Sequence, residues 1–587
     1  MSDGRSKCSL CSHVFNRQKH SCTTVLNYHF RKNHTKVWNK INGKTECDED
    51  SVEPVVKKIK LQPTIQESFS NCIPDDTKNE KLNRSIMQLI AAAALPISFV
   101  DNPAWRNFCS IAIPKFKCKG RHQFQRQELN KVYEEYKRKI TNELEAASFV
   151  SLGFDGWSDV SNKHQYLGVI AHFIQNDSLT FRVIGVIDIK SKRHTGDYLH
   201  EKLEEIAEEF EIKEKISCLV RDGGSDVKCA ARLVGKPHHD CFAHKLNLAV
   251  KDGAESFKSL QSTLSKLRKI VNIVNKSGNA RREFEEVSAS LDVPPLSLKK
   301  HIEVRWNTIH AVFERALKVR ETIDFLSTER DDWPKLTATD WKTAESVVEI
   351  LQPIVDATLL IQNRGMTSSA IIPLCKVLIR ELDDVKKFRE FCTAMTKKLR
   401  EELEKYDRNS YLQFGMLLDV RFKAVFADDV WKTRLLERLI EYADESEMHE
   451  EISDGVSPVR VADNPFSRFM REKTPELPQK SKFGNQNEII AAEVQRWFNE
   501  PCEMDENPIR FWNRASSQEK FPNLYNIHEE FLSAPATTAE AERLFSSART
   551  ILTDNRKLLS AENFSKLLFL QQNTRLLGFG PQTVNHI

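Results

Sequence analysis

The chain has 587 residues, of which 40% are hydrophobic and 29% are charged, and its formal net charge at pH 7 is +4. This length predicts roughly three to five domains, and so small a net charge does not by itself indicate a nucleic-acid partner. The longest apolar stretch, 86–100, is interrupted and short of a membrane span, so we expect no membrane partner. Because no leader is recognised and the 13 cysteines are scattered, we expect a reducing compartment.

The first 45 residues carry the ligand spacing of a zinc module. Cys8 and Cys11 are followed by His29 and His34, in the pattern C-x2-C-x17-H-x4-H. Zinc requires four nitrogen or sulfur ligands in a tetrahedron, and a unit this small folds only around its metal. We therefore predict that these four side chains hold a structural Zn2+. Three further side chains in the intervening loop are expected not to be ligands, with one of them replacing a member of the set as the alternative: His13, His20 and Cys22.

The same unit is locally basic. Within residues 1–45, nine Lys or Arg side chains face a single acidic one, Asp3. Such an excess of positive charge is expected of a module that contacts phosphates, although a solvated basic helix has the same composition. Arg31 and Lys32, which lie between the two histidines of the zinc pattern, are the candidates for DNA contacts.

Residues 46–80 are interpreted as a linker and residues 81–146 as a helical region. The linker is polar and contains a weak basic cluster at 57–60, which is either a nuclear import signal or part of a solvated segment. In the helical region, apolar side chains recur every three or four residues over 129–144. This stripe predicts a long helix packed on the core, with a contact between chains as the alternative.

Strands and helices alternate over residues 147–255, and two strands lead into an aspartate. The first strand ends at Phe154, just before Asp155, and a short buried strand ends just before Asp222 and two glycines. One such aspartate is most often a turn residue. Two of them, at the ends of strands that could lie side by side, predict a site for Mg2+, which prefers carboxylate oxygens. The predicted strands are Phe149–Phe154, Tyr166–Ile174, Leu179–Ile189 and Ile216–Val220, with a polar loop over 158–165.

Cys241 and His244 follow these strands, and the chain then becomes almost wholly helical over residues 256–505. The C-x2-H spacing suggests zinc, but no second pair of suitable spacing follows, so packing or a polar active-site role is the favoured interpretation. Within the helical region Trp306 follows Arg305. Such a tryptophan is usually a core residue, and beside an arginine it is also able to stack on an unpaired base.

Residues 506–580 close the chain after a polar stretch, 453–485, that predicts a surface loop. In this last region Thr537 and Glu540 match a helix capping box. Glu542 lies at the flank of the buried face of the same predicted helix. It is therefore the better candidate for a third metal carboxylate, with an ordinary surface residue as the alternative.

The order of these motifs resembles that of the hAT superfamily of DNA transposases and their host-domesticated relatives. The most specific part is 521–573, where a proline and small residues precede Glu-Arg and Phe-Ser, and residues 1–45 resemble a BED-type zinc finger. The resemblance spans nearly the whole chain. It rests on the motifs Phe154–Ser158, Arg221-Asp222, Cys241–Leu248, Arg305-Trp306, Pro535, Glu542-Arg543 and Phe545-Ser546.

The resemblance implies a multidomain α/β fold, in which an RNase H-like core is interrupted by a large all-α insertion. The core then falls on residues 147–255 and 506–580, and the insertion on 256–505. A helical DNA-binding or dimerisation region falls on 81–146. By the same resemblance, the C-terminal segment is the dimerisation region of the family.

The resemblance also implies roles for single residues. Asp155, Asp222 and Glu542 match the catalytic acidic triad of the family, and Trp306 matches a tryptophan that stabilises flipped-out flanking DNA. Three carboxylates that hold Mg2+ or Mn2+ are suited to cutting a DNA strand and joining the freed hydroxyl to a target phosphodiester. The implied activity is that of a DNA transposase.

Two functions are carried forward. The first is a hAT-type transposase: a nuclear, zinc-dependent homodimer or higher homo-oligomer that cuts and joins double-stranded DNA. The alternative is a catalytically silent, domesticated transposase that acts as a DNA-binding regulator of transcription or chromatin. A protein-interaction scaffold without DNA contact is a third interpretation.

Overall fold

A computed structural model describes most of the chain and divides it into two compact units, Met1–Asn71 and Cys72–Ile587. The described residues are 5–11, 13–16, 24–35, 37–38, 76–159, 164–189, 195–294, 296–300, 307–423, 425–426, 428–453, 482–552 and 559–579. Some sequence predictions concern residues outside these ranges, namely the basic cluster at 57–60, the alternative zinc ligands His20 and Cys22, and the pair Arg305 and Trp306.

The described part of the first unit is a small ββα arrangement. Strand β1 (Arg5–Lys7) pairs antiparallel with β2 (Val14–Asn16), and helix α1 covers Thr24–Asn33. The Cys8 N–H donates to the His13 carbonyl at 2.9 Å and closes the turn between the two strands. The two cysteines therefore lie on this turn, while the two histidines come from α1 and the residue just after it.

Three helices of ten or more residues precede the sheet of the second unit: α2 (Asp76–Ala92), α3 (Pro103–Ala112) and α4 (Leu129–Glu145). A 3-10 turn covers Ile97–Asp101, and a π-helical turn over Phe124–Glu128 leads into α4. The apolar stripe predicted for this region packs in the core, as its buried members on α4 show: Leu129, Val132, Tyr136, Ile140 and Leu144.

A five-stranded mixed sheet follows. It consists of β3 (Val150–Asp159), β4 (His164–Gln175), β5 (Ser178–Asp188), β6 (Ile216–Arg221) and β7 (His238–Asp240). The strand order is β5-β4-β3-β6-β7, with β3, β4 and β5 antiparallel and with β6 and β7 parallel to β3. Helices α5 (Gly196–Glu209) and α6 (Ser225–Val234) make the crossovers that parallel strands need.

The next segment consists of helices joined by loops in the ranges that the structure describes. Its helices are α7 (Phe242–Ser256), α8 (Lys258–Lys276), α9 (Gly278–Ser290), α10 (Asn307–Lys318), α11 (Arg320–Glu329), α12 (Ala338–Ile361), α13 (Ile371–Asp384), α14 (Arg389–Tyr406), α15 (Ser410–Leu418), α16 (Asp429–Ser453) and α17 (Lys482–Asn499). The described ends of the loop predicted at 453–485 are thus helical. None of the helices in the described ranges combines the length and the apolar composition that a membrane span requires.

Five helices close the chain and return it to the sheet. They are α18 (Pro508–Trp512), α19 (Ala515–Lys520), α20 (Pro522–Leu532), α21 (Ala539–Ile551) and α22 (Ala561–Leu577). Helix α21 packs on β3 and β4, and α22 packs on β5 and α4. The second unit is therefore mostly helical around one small mixed sheet.

Successive side chains of β6 point into two different hydrophobic cores. Leu219 belongs to a core built with α2, α4, α21 and α22, whereas Cys218 and Val220 belong to a core formed mainly by the long helical segment. Alternate residues of a strand point to opposite faces of the sheet. All six residues of β6 are buried because both of its faces are covered.

The structure corrects the predicted end of the first strand. β3 continues through Asp155 to Asp159, and its residues 156–159 pair with residues 164–167 of β4. The reason is the hairpin pairing, in which Trp157 lies directly opposite Tyr166 and adds an aromatic cross-strand contact. Strand β7 was not predicted, since three residues are too few to show a period of two.

Candidate functional site

Asp155 and Asp222 are neighbours because their strands pair in parallel. The last residue pair between β3 and β6 is Phe154 with Arg221, so each aspartate is the first residue beyond that pairing. The carboxyl ends of parallel strands lie at the same edge of a sheet. On its other side, Asp155 is paired with Gly168 of β4. The strand register thus brings the two carboxylates to one place.

Helix α21 carries Glu542 to the same edge of the sheet. Gly168, the partner of Asp155 on β4, leaves room for this helix, since a Cβ at that position would lie 2.9 Å from Phe545 Cζ. The Trp157 ring stacks on Phe545 with their centroids 5.6 Å apart and their planes at 16°. Close packing of α21 on β3 and β4 therefore fixes where Glu542 lies.

The three carboxylates line one cleft with a volume of about 830 Å³. Its walls come from the sheet, α7, the end of α12 and α21, so the helical segment contributes to it. The remaining lining residues are Gly156, Trp157, Ala243, His244, Asn247, Thr358, Gln362, Ala539, Arg543, Phe545, Ser546 and Arg549. The structure brings together all three acidic residues that the sequence singled out.

The environment of the cleft raises the pKa of Asp155 to about 7. Burial is the largest cause, because it disfavours the charged carboxylate, and repulsion from Asp222 and Glu542 acts in the same direction. The Gly156 N–H opposes these effects by donating to Asp155 Oδ1 at 2.8 Å. Carboxylates held together in this way favour a bound cation, and strongly shifted groups of this kind cluster at functional sites.

The donor set of the cleft suits a hard divalent cation, because Mg2+ and Mn2+ prefer carboxylate oxygens. In the parts of the chain that the structure describes, only the zinc-pattern side chains form a group whose ligand atoms all lie within 4.8 Å of one another. The three carboxylates are therefore more widely spread.

Cys241 and His244 border the acidic site without forming a metal cluster among the described residues. The Cys241 sulfur is buried and accepts the Thr538 N–H at 3.4 Å, which ties α7 to the start of α21. His244 lines the cleft, and burial lowers its pKa. Its Nε2 lies 3.1 Å from where a Cβ of Gly223 would be, so the ring packs on the backbone beside Asp222.

The capping box predicted at the start of α21 is wrong. The N-cap residue is Thr538, without a side-chain cap, and Thr537 Oγ1 accepts the Ala539 N–H at 3.3 Å instead. The Glu540 carboxylate is engaged elsewhere, because the Arg364 guanidinium donates to it at 3.0 Å. A contact with the helical segment therefore competes successfully with the local cap, which sequence spacing alone does not reveal.

A buried ion network, which the sequence analysis missed, holds the residue before Asp222. The Arg221 guanidinium pairs with Asp240 on β7, and Lys245 on α7 pairs with the same carboxylate. The Lys245 Nζ also lies 3.3 Å from Glu402 Oε2 on α14. Charges this deeply buried are stable only when paired. The one sequence signal was an arginine at the end of a wholly buried strand, which needs an acidic partner.

The four predicted zinc ligands converge in the first unit. The ligand atoms of Cys8, Cys11, His29 and His34 all lie within 4.8 Å of one another. Cys8 Sγ is 3.4 Å from His34 Nε2, and Cys11 Sγ is 3.3 Å from His29 Nε2. Ligands that surround one tetrahedral zinc at about 2.3 Å for sulfur and about 2.0 Å for nitrogen are separated by similar distances. His13 stacks on His29 but is not part of this group.

The local environment favours the metal-binding forms of these ligands. Hydrogen bonding by the backbone of Leu10 is the main cause of a lowered pKa of Cys8, and burial is the main cause of a lowered pKa of His29. Zinc binds thiolate and neutral imidazole, so both shifts support metal binding. The Asn33 amide lies 3.1 Å from His29 Nδ1 and orients the ring with Nε2 towards the other ligands. The residues therefore fit Zn2+.

The two predicted DNA-contacting residues of the first unit are accessible. Arg31 and Lys32 lie in the last turn of α1, and both are exposed. The Lys32 Nζ is 5.9 Å from the centroid of the Tyr28 ring, which is also exposed. This surface of α1 is thus open to a ligand. The other predicted contacts, Arg305 and Trp306, lie outside the described residues.

Two family models match parts of this chain. The ZBED1 RNase-like helical domain matches residues 239–350, and the hAT family C-terminal dimerisation region matches residues 490–574. The first match begins at the end of the sheet and runs into the helical segment. The second contains α21 and its Glu542.

The curated relatives that are similar over most of the chain include two human proteins. Zinc finger BED domain-containing protein 4 of Homo sapiens is 23% identical over 523 residues, which are 85% of this chain and 44% of that protein. Zinc finger BED domain-containing protein 6 of Homo sapiens is 21% identical over 602 residues, which are 92% of this chain and 61% of that protein. The chain thus spans about half the length of these relatives.

Proposed function

We propose, on the premise that this chain belongs with the hAT transposases and the transposase-derived zinc finger BED proteins, that it is a nuclear, zinc-dependent DNA-binding protein that self-associates. The match to the hAT C-terminal dimerisation region supports a homodimer or higher homo-oligomer. The zinc-ligand geometry of the first unit supports a BED-type finger that contacts double-stranded DNA through Arg31 and Lys32. The relatives named as BED proteins support the same assignment.

The domain arrangement we propose follows from the sheet and the helices around it. Residues 147–255 and 506–580 form an RNase H-like core, and 256–505 form an all-α insertion within it. The support is that α21 returns to pack on β3 and β4 after the long helical segment. Residues 81–146 form a helical region that packs on this core and takes part in DNA binding or dimerisation.

The enzymatic form of the proposal rests on one observation: Asp155, Asp222 and Glu542 line the same cleft. These carboxylates would hold Mg2+ or Mn2+, which when bound activates a water or 3′-hydroxyl and stabilises charge on the phosphate. The Gly224 N–H donates to Asp222 Oδ1 at 3.1 Å and fixes that carboxylate. Arg549 lines the cleft and supplies positive charge for a phosphate of the DNA.

A nicking assay on the full chain tests this form. The substrate is a supercoiled plasmid that carries the genomic sequences flanking the gene, incubated with Mg2+ or Mn2+. We expect single-strand cuts by the unaltered protein and none by Asp155→Asn, Asp222→Asn or Glu542→Gln. Asp226→Asn is the matched control, because it removes a neighbouring carboxylate on the first turn of α6 that does not line the cleft. Binding without any cutting would reject the enzymatic form.

The second candidate is a DNA-binding regulator of transcription or chromatin without catalysis. The observation that favours it is that the zinc-ligand set lies in a compact unit of its own, Met1–Asn71. Together with a dimerisation region, such a finger gives two DNA-reading heads per dimer. Selection of bound sequences from random DNA should then recover a motif with the unaltered protein and with Cys229→Ser, which changes an exposed cysteine of the other unit. Recovery of the same motif with Cys8→Ser would refute a role for the finger.

A further inference from the structure

Helix α8 presents a solvent face that carries positive charge and no negative charge. Residues 258–282, which span α8 and the first turn of α9, contain seven Lys or Arg and no Asp or Glu. The opposite side of α8 is apolar and packs in the core through Leu260, Leu264, Leu267, Ile270, Val271 and Val274. The helix is therefore fixed by its apolar side, and its charged side faces water.

The exposed positions of α8 are occupied by lysines and by uncharged polar residues. Three of them are lysines: Lys258, Lys269 and Lys276. The others are small or medium polar residues, namely Ser259, Gln261, Ser262, Ser265, Asn272 and Asn275. Lys, Ser, Asn and Gln are residue types that contact phosphate and sugar oxygens in protein–DNA complexes. The face has the composition of a backbone-contacting surface.

The positive charge of this face is not neutralised by the protein. Among the described residues, Lys258, Lys269 and Lys276 form no ion pair, and neither does Arg281 at the start of α9. Lys266, on the flank of α8, differs because its Nζ lies 2.6 Å from Asp340 Oδ2. A solvated helix face that serves only solubility usually mixes both signs and gains from acidic partners three or four residues away. Lys269 and Lys276 have no acidic residue three or four positions away, whereas Lys258 follows Glu255 by three residues and Arg281 precedes Glu285 by four.

We propose that Lys258, Lys269, Lys276 and Arg281, which we call the α8 basic face, lie along the phosphate backbone of double-stranded DNA. This inference rests on the proposed DNA-binding function and adds a contact surface that is separate from both the finger ligands and the acidic cleft. The 19 residues of α8 form a rod about 28 Å long, which corresponds to about eight base pairs of duplex. The contact carries no sequence preference, because it addresses phosphates and sugars.

The salt dependence of DNA binding by the full chain tests the proposal. The test variant is K269Q/K276Q/R281Q, which removes three positive charges and keeps residues that tolerate a helix. The control is K213Q/K318Q/K432Q, which removes three positive charges that are paired with acids on the protein itself. The charge-retaining variant K269R/K276R/R281K separates charge from side-chain identity. Binding to two unrelated duplexes is measured by fluorescence anisotropy between about 50 and 200 mM salt.

We expect the test variant to lower the slope of log affinity against log salt by about 2–3, since each lost phosphate contact removes about 0.9. Its affinity should fall by at least about tenfold for both duplexes, while the control and the charge-retaining variant bind as the unaltered protein does. Circular dichroism verifies that all variants are folded.

Three results would overturn the proposal. If the test variant keeps the slope of the unaltered protein, the α8 basic face is not a DNA contact, although the proposed function stands. If the affinity for an RNA duplex falls and that for DNA does not, the partner is RNA. If the unaltered protein binds no DNA at all, the inference fails together with the proposed function on which it rests.

Discussion

The zinc-ligand group of the first unit and the acidic cleft of the second are candidate metal sites built in opposite ways. In the first, four ligand atoms lie within 4.8 Å of one another, and the ligands come from a short stretch of sequence, Cys8 to His34. In the second, the carboxylates come from β3, the end of β6 and α21, and they are spread around a cleft of about 830 Å³.

The two sites differ in whether the surrounding protein needs the metal in order to fold. The first unit is too small to build a core, so the metal supplies much of its folding free energy. In the second unit, two hydrophobic cores hold the elements that carry the carboxylates, where burial in the first place, and repulsion from Asp222 and Glu542 in addition, raise the pKa of Asp155. We therefore expect the cleft to form without bound metal.

The sharpest way to break this comparison is to remove zinc. A chelator should unfold the first unit completely, because structural zinc contributes about 10–16 kcal/mol to such modules. The thermal unfolding of the second unit should not change. Limited proteolysis follows the first unit and calorimetry follows the second. A shift of the calorimetric transition on chelation would show that the two units do not differ in this way.

The buried ion network offers the next largest effect. Glu402→Gln should lower the free energy of unfolding by about 2–4 kcal/mol. The reason is that the buried Lys245 ammonium then keeps only Asp240 and loses the second of its two carboxylate partners. Glu401→Gln is the control, since Glu401 is exposed on the same helix and its change should stay within about 0.5 kcal/mol. Chemical denaturation measures both. Equal effects would mean that the network does not stabilise the cleft side of the sheet.

Gly168→Ala tests whether packing positions the third carboxylate. Alanine in a strand is normally favoured over glycine, but here its Cβ would lie 2.9 Å from Phe545 Cζ, so we expect a loss of about 1–3 kcal/mol. Displacement of α21 should also weaken Mn2+ binding, measured by calorimetric titration. Gly156→Ala is the control, because a Cβ there meets nothing within 4 Å. Unchanged Mn2+ affinity in Gly168→Ala would separate α21 packing from metal binding.

The smallest effect sharpens the electrostatic part of the comparison. Because the pKa of Asp155 is raised from 3.8 to about 7, a proton competes with the metal, and Mn2+ affinity should fall about tenfold per pH unit below pH 7 and level off above it. The folded, metal-free protein binds this proton more tightly than the unfolded chain does. Its stability should therefore fall as pH rises from about 4 to about 7.

Asp155→Asn separates the two consequences of this raised pKa. It should abolish Mn2+ binding. It should nevertheless raise the free energy of unfolding of the metal-free protein at pH 8 by about 1–3 kcal/mol, which is measured as a higher thermal midpoint. Asp226→Asn should do neither. If Asp155→Asn lowered the midpoint instead, the folded protein would stabilise the ionised Asp155 carboxylate, and the raised pKa would be wrong.

The parts of the site that were predictable from the sequence are those with a local signal. The run Ile216–Val220 before Arg221, in which only Ser217 is polar, identified a buried strand, and the candidate Asp222 just beyond it followed from that. The four zinc ligands followed from their spacing. The position of Asp155 inside β3 did not, because the strand is prolonged by its pairing with β4 rather than by its own residues.

Features fixed by distant contacts could not be predicted. Glu540 lost its predicted cap to Arg364, which lies far away in the sequence. Lys245 and Glu402 each look like ordinary charged residues on amphipathic helices, and only the fold makes them neighbours. The convergence of Glu542 with the two aspartates was indicated by the family resemblance, since its surroundings in the sequence are also those of a surface residue.

Strand β6 has a consequence for how the second unit melts. Cys218 and Val220 pack in one core and Leu219 packs in the other. If either core unfolds, β6 is displaced and the other core loses some of its packing contacts. Heating should accordingly give one cooperative calorimetric peak for this unit. We therefore expect that the long helical segment cannot be deleted without destabilising the sheet. A shortened chain that lacks it would expose the apolar face of β6, the strand that leads to Asp222.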